Sequence, residues 1–163
     1  MNKHTVRLLS GVFALGASFL FVIPAATASD LGGTSKPTAV KSATVDHLAL
    51  GRAAKEKNDW PTAIHEFALA LKANPKSADA ANLLGFSYRK SGNLPKAFVA
   101  YSVALRLDPH HKGALEYQGV AFIMNHQLDK AAANLSTLGA ECGNKTCEEY
   151  RDLAAEIAAA PAK

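Results

Sequence analysis

The feature that most restricts the fold of this sequence is a pattern that recurs every thirty-four residues, twice clearly and a third time in weaker form. Each unit carries a glycine, a small residue twelve positions on and a bulkier residue four positions later. The matched sets are Leu50-Gly51, Leu84-Gly85 and Gln118-Gly119; Ala63, Ala97 and Ala131; Phe67, Tyr101 and Leu135; and Ala70, Ala104 and Leu138. A period of about 20 to 50 residues is typical of solenoids, whose units bury their apolar faces against their neighbours. The pattern therefore predicts a stacked array.

Turn signals divide each unit into two helices. Pro61 and Pro95 follow Asn58-Asp59-Trp60 and Gly92-Asn93-Leu94, and proline is favoured in the first turn of a helix. Pro75 and Pro109 close the first two units. The sequence predicts an all-α chain with six array helices, near residues 44–57, 61–73, 78–91, 95–107, 112–125 and 129–141.

The middle unit resembles a tetratricopeptide repeat (TPR). It carries Ala81-x2-Leu84-Gly85-x2-Tyr88, then Ala97-x3-Tyr101, Ala104 and Pro109, and lacks only the leading tryptophan of the family pattern. The resemblance extends to three repeats at 44–77, 78–111 and 112–145, of which the third is degenerate. It implies a right-handed α-solenoid, and proteins of this kind bind partners and rarely catalyse reactions.

Small residues in register predict where the helices approach each other most closely. Two antiparallel helices come near only where both present small side chains, so we expect Gly51 to contact Ala63 and Gly85 to contact Ala97. Phe67 and the equivalent tyrosine lie one helical turn beyond those alanines. We expect these rings to fill the space between neighbouring hairpins.

A seventh helix is predicted at 146–160, where it would cap the array. Thr146-x-x-Glu149 has the spacing of a capping box, and an apolar stripe follows it at helical intervals. The stripe consists of Tyr150, Leu153, Ala154 and Ile157, with Glu148, Arg151, Asp152 and Glu156 on the opposite face. Such a helix would cover the apolar end of repeat three, as a solenoid requires for solubility.

The first 28 residues are arranged like a secretory signal peptide. Lys3 and Arg7 precede an apolar run at 8–23, and Ala26-Thr27-Ala28 forms a small-x-small cleavage site. The alternative is an uncleaved membrane anchor, for which sixteen residues are short. We expect cleavage after Ala28, a flexible leader at 29–43 and a periplasmic or secreted protein that meets the membrane only through the signal peptide.

The charge of the mature chain gives no support for nucleic-acid binding. Residues 29–163 contain 16 basic and 14 acidic side chains, a nearly neutral balance that is typical of solvated helix surfaces. No phosphate loop, nucleophile elbow or zinc-ligand helix pattern occurs in the sequence. We therefore expect neither an enzyme nor a bound cofactor.

The chain has two cysteines, Cys142 and Cys147, at the junction of repeat three and the capping helix. Export favours a structural disulfide between them, while free thiols and a redox or metal-binding role are the alternatives. His110 and His111 stand at an inter-repeat turn and His126 stands apart, and adjacent histidines in a loop make a poor metal site. No metal site is therefore expected.

The resemblance to TPR proteins implies which side chains face a partner. In that family the first helix of each hairpin lines the concave face, and five positions of each repeat point into the groove. They correspond here to Val45, Leu48, Arg52, Lys55 and Glu56; Asp79, Asn82, Phe86, Arg89 and Lys90; and Gly113, Glu116, Val120, Ile123 and Met124. The partner-binding set that we predict from them is Arg52, Lys55, Asn82, Phe86, Arg89, Lys90, Val120, Ile123 and Met124.

This groove would have a cationic half and an apolar end. Its cationic half is formed by Arg52, Lys55, Arg89 and Lys90, and its apolar end by Val120, Ile123 and Met124. An extended peptide or helix with acidic residues at one end and aliphatic residues at the other would match both. The alternative is that the charges only solvate exposed helices and that the apolar residues pack against the capping helix.

One variety of TPR domain grips the acidic C-terminus of chaperones, and this sequence departs from its arrangement. Leu48 replaces a polar position in repeat one, and repeat three offers no inward cation. The sequence therefore predicts an exported, non-enzymatic adaptor that binds a protein or peptide in the assembly of a cell-envelope, pilus or secretion complex, and an acidic partner is the candidate that the cationic half favours. The alternative function is a periplasmic thiol- or metal-handling accessory protein that uses Cys142 and Cys147.

Overall fold

The computed structural model describes residues 45–143 and 145–161. This part of the chain contains seven α-helices and no strand, which confirms the predicted all-α class. The helices are α1 (His47–Glu56), α2 (Trp60–Ala73), α3 (Ala78–Lys90), α4 (Leu94–Leu107), α5 (Lys112–Met124), α6 (Leu128–Glu141) and α7 (Glu148–Ala159). The predicted signal peptide at 1–28 and leader at 29–43 lie outside the described residues.

Successive helices pack in pairs, as an array of hairpins requires. α1 packs on α2, α3 on α4 and α5 on α6, and each hairpin also contacts the next one along the chain. Within the described residues, no helix combines the length and the apolar character needed to cross a membrane.

Short polar side chains begin most of the helices. The side chains of Asp46, Asp59, Ser77, Asn93 and His111 each accept a hydrogen bond from a backbone N–H in the first turn of α1 to α5, respectively. Such caps satisfy donors that have no partner inside the helix. They explain why the helices begin where the turn residues of the sequence stand.

The turn inside each hairpin has the same backbone conformation in all three repeats. Asn58, Gly92 and His126 stand thirty-four residues apart and have φ values of 55°, 84° and 57°. Asparagine, glycine and histidine are among the residues that adopt this left-handed conformation most readily. The period of the sequence is thus also a period of the backbone.

Two aromatic rings lie at the centre of the array, and each ring packs under a glycine. Phe67 and Tyr101 are fully buried. A Cβ atom added to Gly51 would lie 2.5 Å from the Phe67 ring, and one added to Gly85 would lie 2.6 Å from the Tyr101 ring. The ring one turn beyond Ala63 or Ala97 is thus the group that lies closest to the missing Cβ of each glycine.

Phe67 joins one hairpin to the next, as the sequence predicts. Its ring packs among Ala54 of its own hairpin and Leu83, Leu84 and Ala100 of the following one. Burial of a phenylalanine side chain contributes about 1.5–3 kcal/mol. Much of the contact between repeats one and two thus depends on this one side chain.

Repeat three is closed by α7. A Cβ atom on Gly119 would lie 2.6 Å from Leu153, so a leucine of α7 occupies the position that Phe67 and Tyr101 hold in the first two repeats. Leu153 is fully buried and packs with Leu115 and Leu138. The predicted capping role of this helix is confirmed.

The start of α7 differs from the prediction. The helix begins at Glu148, and its N-cap is Cys147, which makes no side-chain capping hydrogen bond. The helix thus starts two residues later than the predicted 146–160, and the residue at its cap position is the cysteine that follows Thr146.

Candidate functional site

A cavity with a volume of about 540 Å³ opens between α3, α5 and α7. Its lining residues are Phe86, Arg89 and Lys90 of α3; Glu116, Tyr117 and Val120 of α5; and Asp152, Ala155, Glu156 and Ala159 of α7. Helices α3 and α5 are the first helices of repeats two and three, as the resemblance predicted for a partner-binding groove. We call this cavity the inner groove.

A row of three aromatic rings runs along the inner groove and beyond it. The Phe86 ring lies 6.0 Å from the Trp60 ring and 4.9 Å from the Tyr117 ring, measured between centroids. Tilted and edge-on aromatic pairs at such distances stabilise by about 0.5–1.5 kcal/mol beyond the area that they bury. The row gives the positively charged side of the groove a rigid apolar base.

Three cations surround the Phe86 ring. The charged groups of Lys55, Arg89 and Lys90 lie 5.6, 5.2 and 5.8 Å from its centroid. The attraction between a cation and the negative face of a ring holds these side chains against the aromatic base. Positive charge is therefore concentrated on one side of the groove.

Arg89 is the most constrained of the three cations. Its guanidinium lies over both Phe86 and Tyr117, and its Nε is buried without a hydrogen-bond partner in the described part of the chain. Burial raises the pKa of the adjacent Tyr101 hydroxyl to about 12, and the positive charge of Arg89 opposes part of this rise.

The opposite side of the groove is acidic. Burial and, after it, the nearby carboxylates Asp152, Glu149 and Glu148 together raise the pKa of Glu116 to about 7, while Arg89 opposes part of this rise. Among the described residues, neither Asp152 nor Glu156 forms an ion pair with a basic side chain. This wall therefore carries negative charge that no cation of the described chain neutralises.

The structure brings together part of the predicted partner-binding set. Phe86, Arg89, Lys90 and Val120 line the inner groove, and Lys55 lies beside it over the Phe86 ring. Arg52 is exposed on α1, and it is not part of the lining. Arg52 would therefore contact a bound partner only if that partner extends beyond the cavity.

Asn82 is predicted as a groove residue, but the structure buries it. It is only 5% exposed, its Nδ2 lies near Gly113 of the next repeat, and its Oδ1 has no hydrogen-bond partner in the described part of the chain. The prediction is corrected because the short amide lies between α3 and α5 rather than in the open groove.

The predicted apolar end of the groove is present only in part, because Val120 alone of its three residues lines the cavity. Val120 and Ile123 pack around Leu153, as does Ile157 of α7, so α7 already covers much of their apolar surface. Ile123 also lines a separate small cavity with Ala160 and Pro161. The alternative reading, in which these residues pack against the capping helix, is confirmed for Val120 and Ile123.

Met124 differs from its two apolar neighbours because it is 47% exposed. Its sulfur lies 4.0 Å from an Nη atom of Arg89. This uncharged side chain therefore lies beside Arg89, on the positively charged side of the groove, and does not form an apolar end with Val120 and Ile123.

The sequence analysis does not predict the acidic wall or two of the three rings of the aromatic row. Asp152 and Glu156 were assigned only to the solvent face of α7, and Trp60 only to a turn. Tyr117 stands one position beyond a predicted groove residue, Glu116, which was the available signal. The position of α7 across α5 has no equivalent signal, because it depends on tertiary packing.

The cysteines and the histidines near them form structural links. Cys142 and Cys147 are joined by a disulfide between α6 and α7. Nδ1 of His110 lies 2.8 Å from a carboxylate oxygen of Glu141, and this hydrogen bond and charge raise the pKa of the imidazole. In the described ranges, no three His, Cys, Asp or Glu side chains are placed to hold a metal ion together.

His111 links two repeats. Its Nδ1 accepts a hydrogen bond from the backbone N–H of Ala114 at 3.2 Å, which caps α5. Its Nε2 lies 3.1 Å from a carboxylate oxygen of Asp79 on the preceding repeat. Both ring nitrogens are thus already engaged within the array.

Comparison with known proteins places the chain among helical repeat proteins. The tetratricopeptide repeat family model matches residues 48–112. BBSome complex member bbs-4 of Caenorhabditis elegans is 31% identical over 106 residues, a match that covers 65% of this chain and 22% of that protein. The chain thus spans about a fifth of the length of this curated relative.

Solved structures agree with the family match. The TPR2B domain in a pHsp70 complex of yeast Sti1 superposes with a TM-score of 0.62 at 22% identity, over 69% of this chain and 93% of that one. The second TPR domain of human RPAP3, in complex with the HSP70 peptide SGPTIEEVD, has a TM-score of 0.62 at 16% identity and covers 69% and 92%. Residues 48–112 therefore match the tetratricopeptide repeat family, and the described helices share the fold of solved TPR domains.

Proposed function

We propose that this chain is a non-enzymatic adaptor that holds a segment of another protein in the inner groove. The observation that carries the proposal is a cavity open to solvent whose charged side chains surround an aromatic base. Within the described residues, Arg89, Lys90, Asp152 and Glu156 make no ion pair that would neutralise them. Exposed charges held in fixed positions give orientation and selectivity to a binding surface.

Peptide binding by proteins of the same fold supports this function. The yeast Sti1 domain is described in a complex with pHsp70, and the human RPAP3 domain with a peptide that contains two adjacent glutamates. We do not extend the chaperone partner to this chain. Leu48 departs from the chaperone-binding arrangement, and the third repeat offers no inward cation but places Glu116 in the groove.

We further propose that the adaptor works outside the cytoplasm, in the assembly of a cell-envelope, pilus or secretion complex. The signal-peptide pattern of residues 1–28 and the pairing of Cys142 with Cys147 support export. The thiol- or metal-handling alternative receives less support, because His110 and His111 are engaged in links between elements of the fold.

Affinity capture from a cell-envelope extract of the source organism tests the adaptor function. The bait is the protein purified after expression of the full-length chain, and the captured proteins are identified and quantified by mass spectrometry. The variant Lys55→Glu with Lys90→Glu reverses two cations that lie beside the Phe86 ring. We expect it to lose at least about tenfold in capture of the specific partner, which corresponds to ~1.4 kcal/mol.

The matched control is Lys72→Glu with Lys76→Glu. It makes the same change in net charge at two exposed positions outside the inner groove. The control should capture the partner like the unmodified protein. Equal capture by both variants would show that the partner binds another surface.

A further inference from the structure

The two walls of the inner groove carry opposite charge. Arg89 and Lys90 stand on α3, Asp152 and Glu156 stand on α7, and Tyr117 and Val120 of α5 lie between them. Opposite charges on adjacent helices commonly form ion pairs, yet within the described residues these four side chains form none with each other. The charges are therefore available to another molecule.

The separation of the walls explains why they do not neutralise each other. Helix α5 lies between α3 and α7, and an α-helix with its side chains is about 10–12 Å across. An ion pair requires a distance of about 4 Å between nitrogen and oxygen. Extended backbone rises about 3.3 Å per residue, so three to four residues of a bound segment would cross from one wall to the other.

The middle of the groove restricts the residues between the two charges. Apart from Glu116, its lining on α5 is Tyr117 and Val120, and α7 adds the alanines Ala155 and Ala159, which stand one turn apart. None of these side chains carries a charge or a long flexible arm. Small or aliphatic residues of a partner would fit against them without losing hydrogen bonds to water.

We propose that the inner groove binds an extended peptide segment in which an acidic and a basic residue stand three to four positions apart, separated by small or aliphatic residues. The acidic residue contacts Arg89 and Lys90, and the basic residue contacts Asp152 and Glu156. This proposal rests on the adaptor function above and names the chemistry of its partner.

Segments of a single charge sign match the groove less well. A wholly acidic segment would place carboxylates against Glu116, Asp152 and Glu156, and a wholly basic one would place cations against Arg89 and Lys90. Like charges brought together in this way oppose binding. A wholly apolar segment would leave charged walls on both sides desolvated and unpaired.

Labelled ten-residue peptides test the proposal by fluorescence anisotropy at low salt. The probes share the same aliphatic residues and differ only in charge: acidic and basic residues three positions apart in either order, two acidic residues, or two basic residues. The protein is purified after expression of the full-length chain. We expect at least one two-sign peptide to bind at least about tenfold more tightly than either one-sign peptide.

A charge reversal on α7 makes the test specific. Asp152→Lys should abolish the preference for the two-sign peptide and increase binding of the acidic peptide. Asp129→Lys is the matched control, because it reverses an exposed aspartate of α6 outside the groove and should leave the preference unchanged.

Other outcomes separate this proposal from the adaptor function. Equal or tighter binding of a one-sign peptide by the unmodified protein would overturn the two-sign segment. If no peptide binds but the Lys55→Glu, Lys90→Glu variant still loses a captured partner, the adaptor function stands and this inference fails. If neither peptides nor a partner bind through the groove, both proposals fail.

Discussion

At the scale of single residues, the glycines of the repeat matter because of the rings that pack on them. Gly85 lies directly against Tyr101, and Gly51 lies against Phe67 in the same way. The thirty-four-residue period predicted both small positions, but it did not predict that an aromatic ring lies closest to each glycine. Sequence spacing gives the helix face on which a residue lies, and the size of the side chains then decides which atoms meet across the interface.

Gly85→Leu should destabilise the array, because even a single added carbon would lie 2.6 Å from the Tyr101 ring. We expect a loss of about 1–3 kcal/mol or more in the free energy of unfolding, the usual cost of overpacking. Urea unfolding followed by circular dichroism measures it. Ala68→Leu, at an exposed position of α2, is the control, and equal midpoints for the two variants would refute the repeat packing.

Glu116 should make stability depend on pH. Its pKa is raised from 4.5 to about 7 in the folded protein. Below about pH 4.5 the carboxyl group is protonated in both states and has no effect. As pH rises towards 7, the unfolded chain loses the proton more readily than the folded protein, so the free energy of unfolding falls across this window.

The variant Glu116→Gln removes that titration. We expect the variant to gain stability relative to the unmodified protein at about pH 8 and to gain little at about pH 4. Thermal unfolding at the two pH values measures the difference. Glu56→Gln, which changes an exposed carboxylate of α1, is the control. The same pH dependence in both variants would contradict a specific role for Glu116.

At the scale of helices, the sequence predicted nearly everything in the array. Each of the six array helices lies within a few residues of its predicted range, because Asp59 and Asn93 cap helices whose next residues include Pro61 and Pro95. Local capping and turn chemistry determine these boundaries. The start of α7 is the exception, since a capping-box spacing at Thr146 was available but Cys147 is the cap.

The position of α7 could not be predicted from its own sequence. Its apolar stripe predicted burial correctly, and Leu153 is fully buried. The contact between Leu153 and Gly119 depends on the absence of an aromatic residue at Leu135, a difference in another helix. The packing of α7 on α5 therefore determines which side chains of α7 line the inner groove.

Leu153→Ala should weaken the attachment of α7. Leu153 fills a fully buried position under Gly119, and removal of such a side chain costs about 2–5 kcal/mol. Hydrogen exchange of the α7 amides and urea unfolding measure the effect. Leu50→Ala, at a position that is 48% exposed, is the matched control and should cost less than about 1 kcal/mol. Equal losses would contradict the capping role.

At the scale of the whole molecule, the nearly neutral net charge gives no sign that basic and acidic side chains lie on opposite walls of the inner groove. The predicted mature chain has 16 basic and 14 acidic residues, from which only a solvated surface was inferred. The fold places Arg89 and Lys90 on one wall and Asp152 and Glu156 on the other. The cationic half of the candidate site was therefore predictable from repeat register, and the acidic half was not, because it belongs to α7 outside the repeats.

Export predicts a shorter chain in the cell. We expect the protein isolated from the cell envelope or the medium to begin at Ser29, with residues 1–28 removed. Intact-mass spectrometry before and after reduction and alkylation tests this start and the Cys142–Cys147 bond together. The control is the same chain produced without residues 1–28 in the cytoplasm. An exported protein that retains those residues would support a membrane anchor instead.

The leucine that α7 places beneath Gly119 limits how this protein can lengthen. Duplication of a thirty-four-residue unit ahead of residue 112 would give the new hairpin an aromatic ring of its own and a matching neighbour on either side. A unit inserted between α6 and α7 would move the leucine away and leave Gly119 with no side chain to cover it. Duplication of a repeat should therefore preserve the helix packing at the amino-terminal end of the array and disrupt it between α6 and α7.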